Sequence, residues 1–322
     1  MTNGVRRKQT FKIAVLSVIL LWATIYYGAF VPLARHHAKQ GGPVDETHVY
    51  RHPGETPGGS LDAERIGDAF ARIDYSLDAV ASGLRDVPRL RLSGIPANLS
   101  DIPDSDERKS LFLRMLLPLV LSVNESILAD RARIEAIATR VTAGRPVPHA
   151  DRVWVEQIAR AYRLGPKARL ATLLKRVDVV PPSLALAQSA TESGWGTSRF
   201  ARQGNALFGQ WGAPDAKRGQ SKAARDIEKV YNVKTFATPE DAVRAYILNL
   251  NTHPAYAGFR DARAWQRRHG IEPDGPSLVH TMDGYSELAD AYVKALRGIM
   301  RGNRLGDFDE ARLSEHPASV VF

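Results

Sequence analysis

A chain of 322 residues with 44% apolar and 25% charged side chains can build one large or two ordinary domains, and it excludes wholesale disorder, collagen and coiled-coil architectures. The absence of cysteine excludes disulfides, thiolate metal clusters, a cysteine nucleophile and a lipidated-cysteine anchor. Forty-four Lys and Arg against 35 Asp and Glu give a net charge of +9, compatible with nucleic acid, an anionic membrane or an anionic polymer such as a cell wall, and equally with compositional bias.

Residues 13–34, IAVLSVILLWATIYYGAFVPLA, carry no charge and at 1.5 Å per residue reach across a bilayer core of about 30 Å. Arg6, Arg7, Lys8 and Lys12 precede the run, so the positive-inside bias puts the N-terminus in the cytoplasm. No convincing A-x-A-like cleavage site follows, and residues 1–35 read as an uncleaved signal anchor. Residues 36–60 are rich in Gly, Pro and His without apolar periodicity, as expected of a flexible spacer.

Apolar residues at helical spacing begin at Leu61, in AERIGDAFARIDYSLDAVASGL. A second helix, with Pro118 inside it, is expected over about 106–142. Its richest part, LFLRMLLPLVLSV, is broken by Arg114 and Pro118 and is too short for a second membrane span, so it reads as a buried helix. Residues 61–146 form a helical, membrane-proximal region on this reading. A third helix spans about 151–162. Pro181 and Pro182 then close one element and preset the first turn of the next, a helix over 182–192 that Gly194 stops in the left-handed conformation. Residues 218–236 end in VYNVKTF, whose rough alternation suggests a hairpin or a single strand. Helical patterns return in PEDAVRAYILNLNTH, RDARAWQRRHG and SELADAYVKALRGIM. The fold class is mainly α, with six to eight helices and at most one small hairpin.

Metal chemistry has little support: no H-E-x-x-H occurs, and His48 and His52 lie in the spacer. A phosphate-binding loop and a G-x-S-x-G elbow are also absent. The carboxylate that stands out is Glu192, at the C-terminal end of a helix of small and apolar residues. The negative end of the helix dipole, unpaired carbonyls and burial beside an indole would all raise its pKa. A carboxylic acid protonated near neutral pH suits protonation of a leaving glycosidic oxygen. An exposed glutamate before a glycine turn is the competing reading. Trp195, Phe200, Phe208 and Trp211 follow, interleaved with Gln203, Asn205 and Gln210 on a glycine-rich stretch. Such a stretch can line a sugar cleft, or its aromatic rings can be core.

The run LALAQSATESGWGTSRFARQGNALFGQWG, then VRAYILNLNTHPAY and DGYSELADAYVKAL, resembles the glucosaminidase domain of Bax-like proteins, in glycoside hydrolase family 73. SLFLRMLLPLVLSVNESI resembles the region these proteins carry ahead of that domain. The resemblance implies a lysozyme-like glucosaminidase domain with a small β hairpin lobe at 147–305 and a tail at 306–322. It implies an endo-β-N-acetylglucosaminidase that cleaves the β-1,4 bond between N-acetylglucosamine and N-acetylmuramic acid in peptidoglycan, with no cofactor or metal. Glu192 then matches the general acid, and Tyr285 a tyrosine near the reacting sugar. The β lobe would supply a second carboxylate, for which Glu228 is the choice. Trp195, Asn205, Phe208, Gln210, Trp211 and Tyr256 are the substrate-binding candidates. The implied partners are peptidoglycan strands and, through residues 13–34, the inner membrane, with the catalytic domain in the periplasm and no nucleic acid. Two other functions fit: a lytic transglycosylase, with an anhydro product, and a non-catalytic peptidoglycan-binding scaffold.

Overall fold

The computed structural model describes residues 61–210, 233–285, 289–315 and 320–321. The expected anchor, the spacer and most of the expected hairpin lie outside them. Helix α1 (Ala63–Arg72) starts behind Asp62, whose carboxylate accepts from the N–H groups of Glu64 and Arg65. The helical pattern that begins at Leu61 is interrupted: Asp74 adopts a φ of +54°, and Ser76 caps a separate helix α2 (Leu77–Ala81). Aspartate tolerates the left-handed region and serine prefers the cap, so this local chemistry overrides the apolar spacing.

After strand β1 (Leu90–Arg91), helix α3 (Ser105–Thr142) runs for 38 residues with Pro118 inside it. It is long and apolar enough to cross a membrane, yet most of its apolar window is covered by the protein itself. Nearly every residue from Leu111 to Val123 is buried, which fits a helix surrounded by protein rather than an amphipathic surface helix. Helices α4 (His149–Ala161), α5 (Leu170–Arg176), α6 (Pro182–Ser193) and α7 (Arg199–Gly204) follow. Then come α8 (Pro239–Thr252), begun by a Thr238–Asp241 capping box, α9 (Ala257–Arg268), α10 (Gly275–Leu278) and α11 (Ala289–Gly302). A 3-10 turn, Val279–Tyr285, precedes α11 and another, Leu305–Phe308, follows it. The fold is mainly α, as the sequence predicts.

A single apolar cluster extends from Ala63 to Phe308, with α3 packed against α6 and α8. Strand β2 (Val320–Val321) pairs in parallel with β1, Leu90 opposite Val320, and Val87 bridges to Leu313. Residues of the expected tail therefore pair with the region ahead of α3. Strands of two residues are too short to show alternation in a sequence.

The approach to α6 is tied from three helices. The Asn124 amide of α3 both donates to Val180 O and accepts from Val180 N, at 2.8 and 3.2 Å. From α8, Asn251 donates to Asp178 O at 2.8 Å. The Asp178 carboxylate, 2% exposed, pairs with Arg131 of α3 at 3.3 Å and Arg267 of α9 at 3.1 Å. Fully buried Arg263 of α9 donates to Val179 O at 2.6 Å and to Asn251 Oδ1 at 2.8 Å. Removing one partner of such a buried charge pair would leave an uncompensated ion and destabilise the segment.

Candidate active site

Helix α6 begins at Pro182 behind Pro181, which provides no capping side chain. Its cap comes from a distant position instead: Asp309 accepts from Ser183 N at 2.8 Å, from Ser183 Oγ at 2.7 Å and from Gly275 N at 2.8 Å. A negative charge at a helix N-terminus is favourable, and here it also joins α6 to α10. Residues 182–190 are all buried, among them Ala185, Ala187, Ser189 and Ala190, whose small side chains let neighbouring helices approach closely. Gly194 ends the helix at φ +59°, ψ +48°, as its place in the sequence predicts.

The residues after Glu192 form a self-bonded turn. Ser193 Oγ donates to Ser189 O at 2.6 Å and accepts from Gly196 N at 2.8 Å. Gly196 has a φ of +75°, and a Cβ there would stand 2.8 Å from Phe112 of α3, so only glycine fits. Thr197 Oγ1 donates to Gly194 O, and Ser198 caps α7 by accepting from Ala201 N. This is the physical content of the E-S-G-W-G-T-S run: it fixes the end of α6 against α3.

Glu192 is partly buried at that end. Its Oε1 accepts a hydrogen bond from the Tyr292 hydroxyl of α11 at 3.1 Å. Its Oε2 lies against Gly209, where a Cβ would come within 2.8 Å of the oxygen. Burial disfavours the charged form and pushes the carboxyl up to about 7, while the bond from Tyr292 pulls the other way. Among the described residues no charged group contributes to this shift. The proton is therefore available near neutral pH, as a general acid requires.

Behind the carboxylate lie two further polar side chains. Gln188, one helical turn before Glu192 and 1% exposed, donates from Nε2 to the Tyr292 hydroxyl at 3.0 Å. Its Oε1 accepts from the hydroxyl of Tyr246 on α8. The ring of Tyr246 stacks on Phe208, with centroids 4.0 Å apart and planes 8° from parallel. The Q-x-x-x-E spacing on α6 already places Gln188 and Glu192 on one face. Tyr292 and Tyr246 carry no such signal, since their approach depends on how α8 and α11 pack.

The other expected site residues separate into groups. Phe208, 3% exposed, and Tyr256, 2% exposed and beside His253, are packed into the core. Asn205, at φ +51°, ends α7 and donates to Phe236 O at 3.1 Å and Ala237 O at 3.3 Å, holding the chain where it returns at 233–237. These three side chains are engaged within the protein rather than presented to a sugar. Trp195, also at positive φ, is half-buried, in a T-shaped contact with Phe112 and with Lys109 5.8 Å from the centre of its ring. The Gln210 carbonyl accepts from Lys234 N at 2.8 Å, and its buried Oε1 has no partner among the described residues. Tyr285 ends the 3-10 turn before α11, and its side chain is outside the described part. Trp211 and Glu228 lie outside the described residues.

The Glucosaminidase family, described as mannosyl-glycoprotein endo-beta-N-acetylglucosaminidase, matches residues 168–305. Protein bax of Escherichia coli (strain K12) is 34% identical over 217 residues, which cover 66% of this chain and 75% of that protein. No solved structure gives a match. Glu192, Gln188, Gly209, Tyr246 and Tyr292 fall within the matched residues, and the family domain makes the chain a glycosidase of glycans. The chain belongs to the Bax-like family of glucosaminidase-domain proteins.

Proposed function

We propose that the chain is an endo-β-N-acetylglucosaminidase of peptidoglycan, cutting between N-acetylglucosamine and N-acetylmuramic acid with Glu192 as general acid. The observation that carries the reading is the Glu192 carboxyl, half-withdrawn from water against Gly209 and holding its proton up to about pH 7. In the first step Glu192 gives that proton to the glycosidic oxygen as the bond to C1 breaks. The acetamido carbonyl oxygen of the same sugar attacks C1, so the positive charge ends in an oxazolinium ring. Water then adds at C1 and returns its proton to Glu192. This route needs no second carboxylate, because the acetamido oxygen supplies the nucleophile. Tyr285, by its place in the family motif, is assigned to the sugar or the water. Trp195, half-buried and near Glu192 in sequence, is assigned to the glycan.

We place the chain in the inner membrane through residues 13–34, with residues 36–60 as spacer and the catalytic part in the periplasm. The positive charge of the chain suits an anionic wall polymer. Full-length protein in detergent, given purified peptidoglycan, tests the activity. New reducing N-acetylglucosamine ends are expected by mass spectrometry. Anhydro ends would make it a lytic transglycosylase, and binding without new ends would make it a scaffold.

A further inference from the structure

A hydroxyl has one proton to give and an amide has a donor end and an acceptor end, so a chain of such groups has a direction. Here it runs from Tyr246 to Gln188 Oε1, from Gln188 Nε2 to the Tyr292 hydroxyl, and from Tyr292 to Glu192 Oε1. Gln188 and Tyr246 are each 1% exposed, so solvent does not compete for the amide. With the Tyr292 oxygen accepting from Gln188, its one proton points at Glu192. Turning the Gln188 amide over would bring a carbonyl oxygen to Tyr292, take that proton, and face Glu192 Oε1 with a lone pair. The acid proton would then settle on Oε1, directed at Tyr292.

We infer that Gln188 and Tyr246 are positioning residues that decide which oxygen of Glu192 carries the acid proton: Oε1 is held as an acceptor, and Oε2, over Gly209, is the oxygen that donates. Gly209 supports the assignment independently. It is exposed, its φ is +56°, and a Cβ there would stand 2.8 Å from Oε2, so that among the described residues the lack of a side chain leaves Oε2 approachable by a substrate oxygen. The choice of Oε2 as donor rests on the glycosidase reading above, whereas the direction of the relay does not.

The test is the titration of the Glu192 carboxyl carbon by NMR in full-length protein with 13C-labelled glutamate, assigned by its absence from Glu192→Gln. Tyr292→Phe removes the donor, and the midpoint is expected to rise by about one pH unit. Tyr246→Phe, two hydrogen bonds away and retaining the stacked ring, frees the amide to turn and is expected to give a similar rise. Adding Gln188→Leu to Tyr246→Phe removes the competing carbonyl and should return the midpoint toward the wild-type value, which a packing defect would not do. In turnover, Tyr246→Phe should lower kcat with KM little changed. A midpoint unmoved in a folded Tyr246→Phe overturns the relay, as does a shift that Gln188→Leu fails to reverse. The titration needs no substrate, so inactivity of the wild type on peptidoglycan would remove the proposed substrate while leaving the relay standing.

Discussion

On α6 two polar side chains, Gln188 and Glu192, are drawn into the protein and meet Tyr246 and Tyr292 there. In the stretch 194–210 that follows, an aromatic ring of the kind expected to touch sugar, Phe208, is 3% exposed, and the Asn205 amide is bonded to backbone at 236 and 237. The polar residues of the helix join one hydrogen-bonded chain with two tyrosines, and much of the aromatic, glycine-rich stretch is engaged in packing and backbone contacts. The difference teaches that composition alone misassigns the two. Glycines at 194, 196 and 209 lie in the stretch that can line a sugar cleft, and each takes a positive φ in a close contact or turn. A small apolar helix suggests plain core, yet it carries the carboxyl whose proton burial holds up to about pH 7.

The sharpest way to break this contrast is Glu192→Gln, which is expected to cut turnover by about 10²–10⁴-fold, the usual worth of general acid catalysis. The same change should stabilise the fold. A glutamate raised from 4.5 to about 7 by burial binds its proton more tightly when folded. Its contribution is therefore fully present below pH 4.5 and is lost as pH rises through about 7. The variant should gain on the order of 1–3 kcal/mol over wild type at pH 8 and little at pH 4.5, read by denaturant unfolding at the two pH values. Equal stability at pH 8 would show that the carboxyl is not strained by burial.

Phe208→Ala tests the other side of the comparison. Loss of a buried ring costs about 3–5 kcal/mol, so the melting temperature should fall far more than the affinity for glycan. A folded variant with unchanged stability and weakened binding would return Phe208 to the cleft. Next comes Asp309→Ala, which leaves three donors on Ser183 and Gly275 unsatisfied and should cost about 2–3 kcal/mol. Because Asp309 lies beyond the family match at 168–305, a truncation at 305 should lose at least as much. The smallest effect belongs to Trp195→Ala: a half-buried ring in edge contact with Phe112 should change stability by about 1 kcal/mol and register mainly in KM. A large stability loss with KM intact would move Trp195 to the packing group.

Much of this was legible in the sequence, for physical reasons that differ by region. The span of α3 follows from its apolar run, and the end of α6 follows from Gly194, because periodicity and capping are local. Glu192 was legible because its position at a helix end before a glycine turn is also local. The break at Asp74 was not, since it depends on one residue adopting φ +54° within a continuous apolar pattern. Nor were the partners of Glu192. Tyr292 lies a hundred residues away, and its hydroxyl reaches Oε1 only because α11 packs on α6. The same holds for the Asp309 cap, 126 residues from Ser183, and for the β1–β2 pairing, which joins opposite ends of the described chain. Phe208 failed in the other direction: a ring beside glycine and amide residues looks available until Tyr246 is found stacked on it.

The central claim is that Glu192 keeps its proton at neutral pH. Its carboxyl carbon, isolated as the difference between wild-type and Glu192→Gln spectra of 13C-glutamate-labelled protein, should titrate with a midpoint near 7. A midpoint near 4.5, the ordinary value for glutamate, would mean a solvated carboxylate that is ionised at neutral pH, and Glu192 could not be the acid.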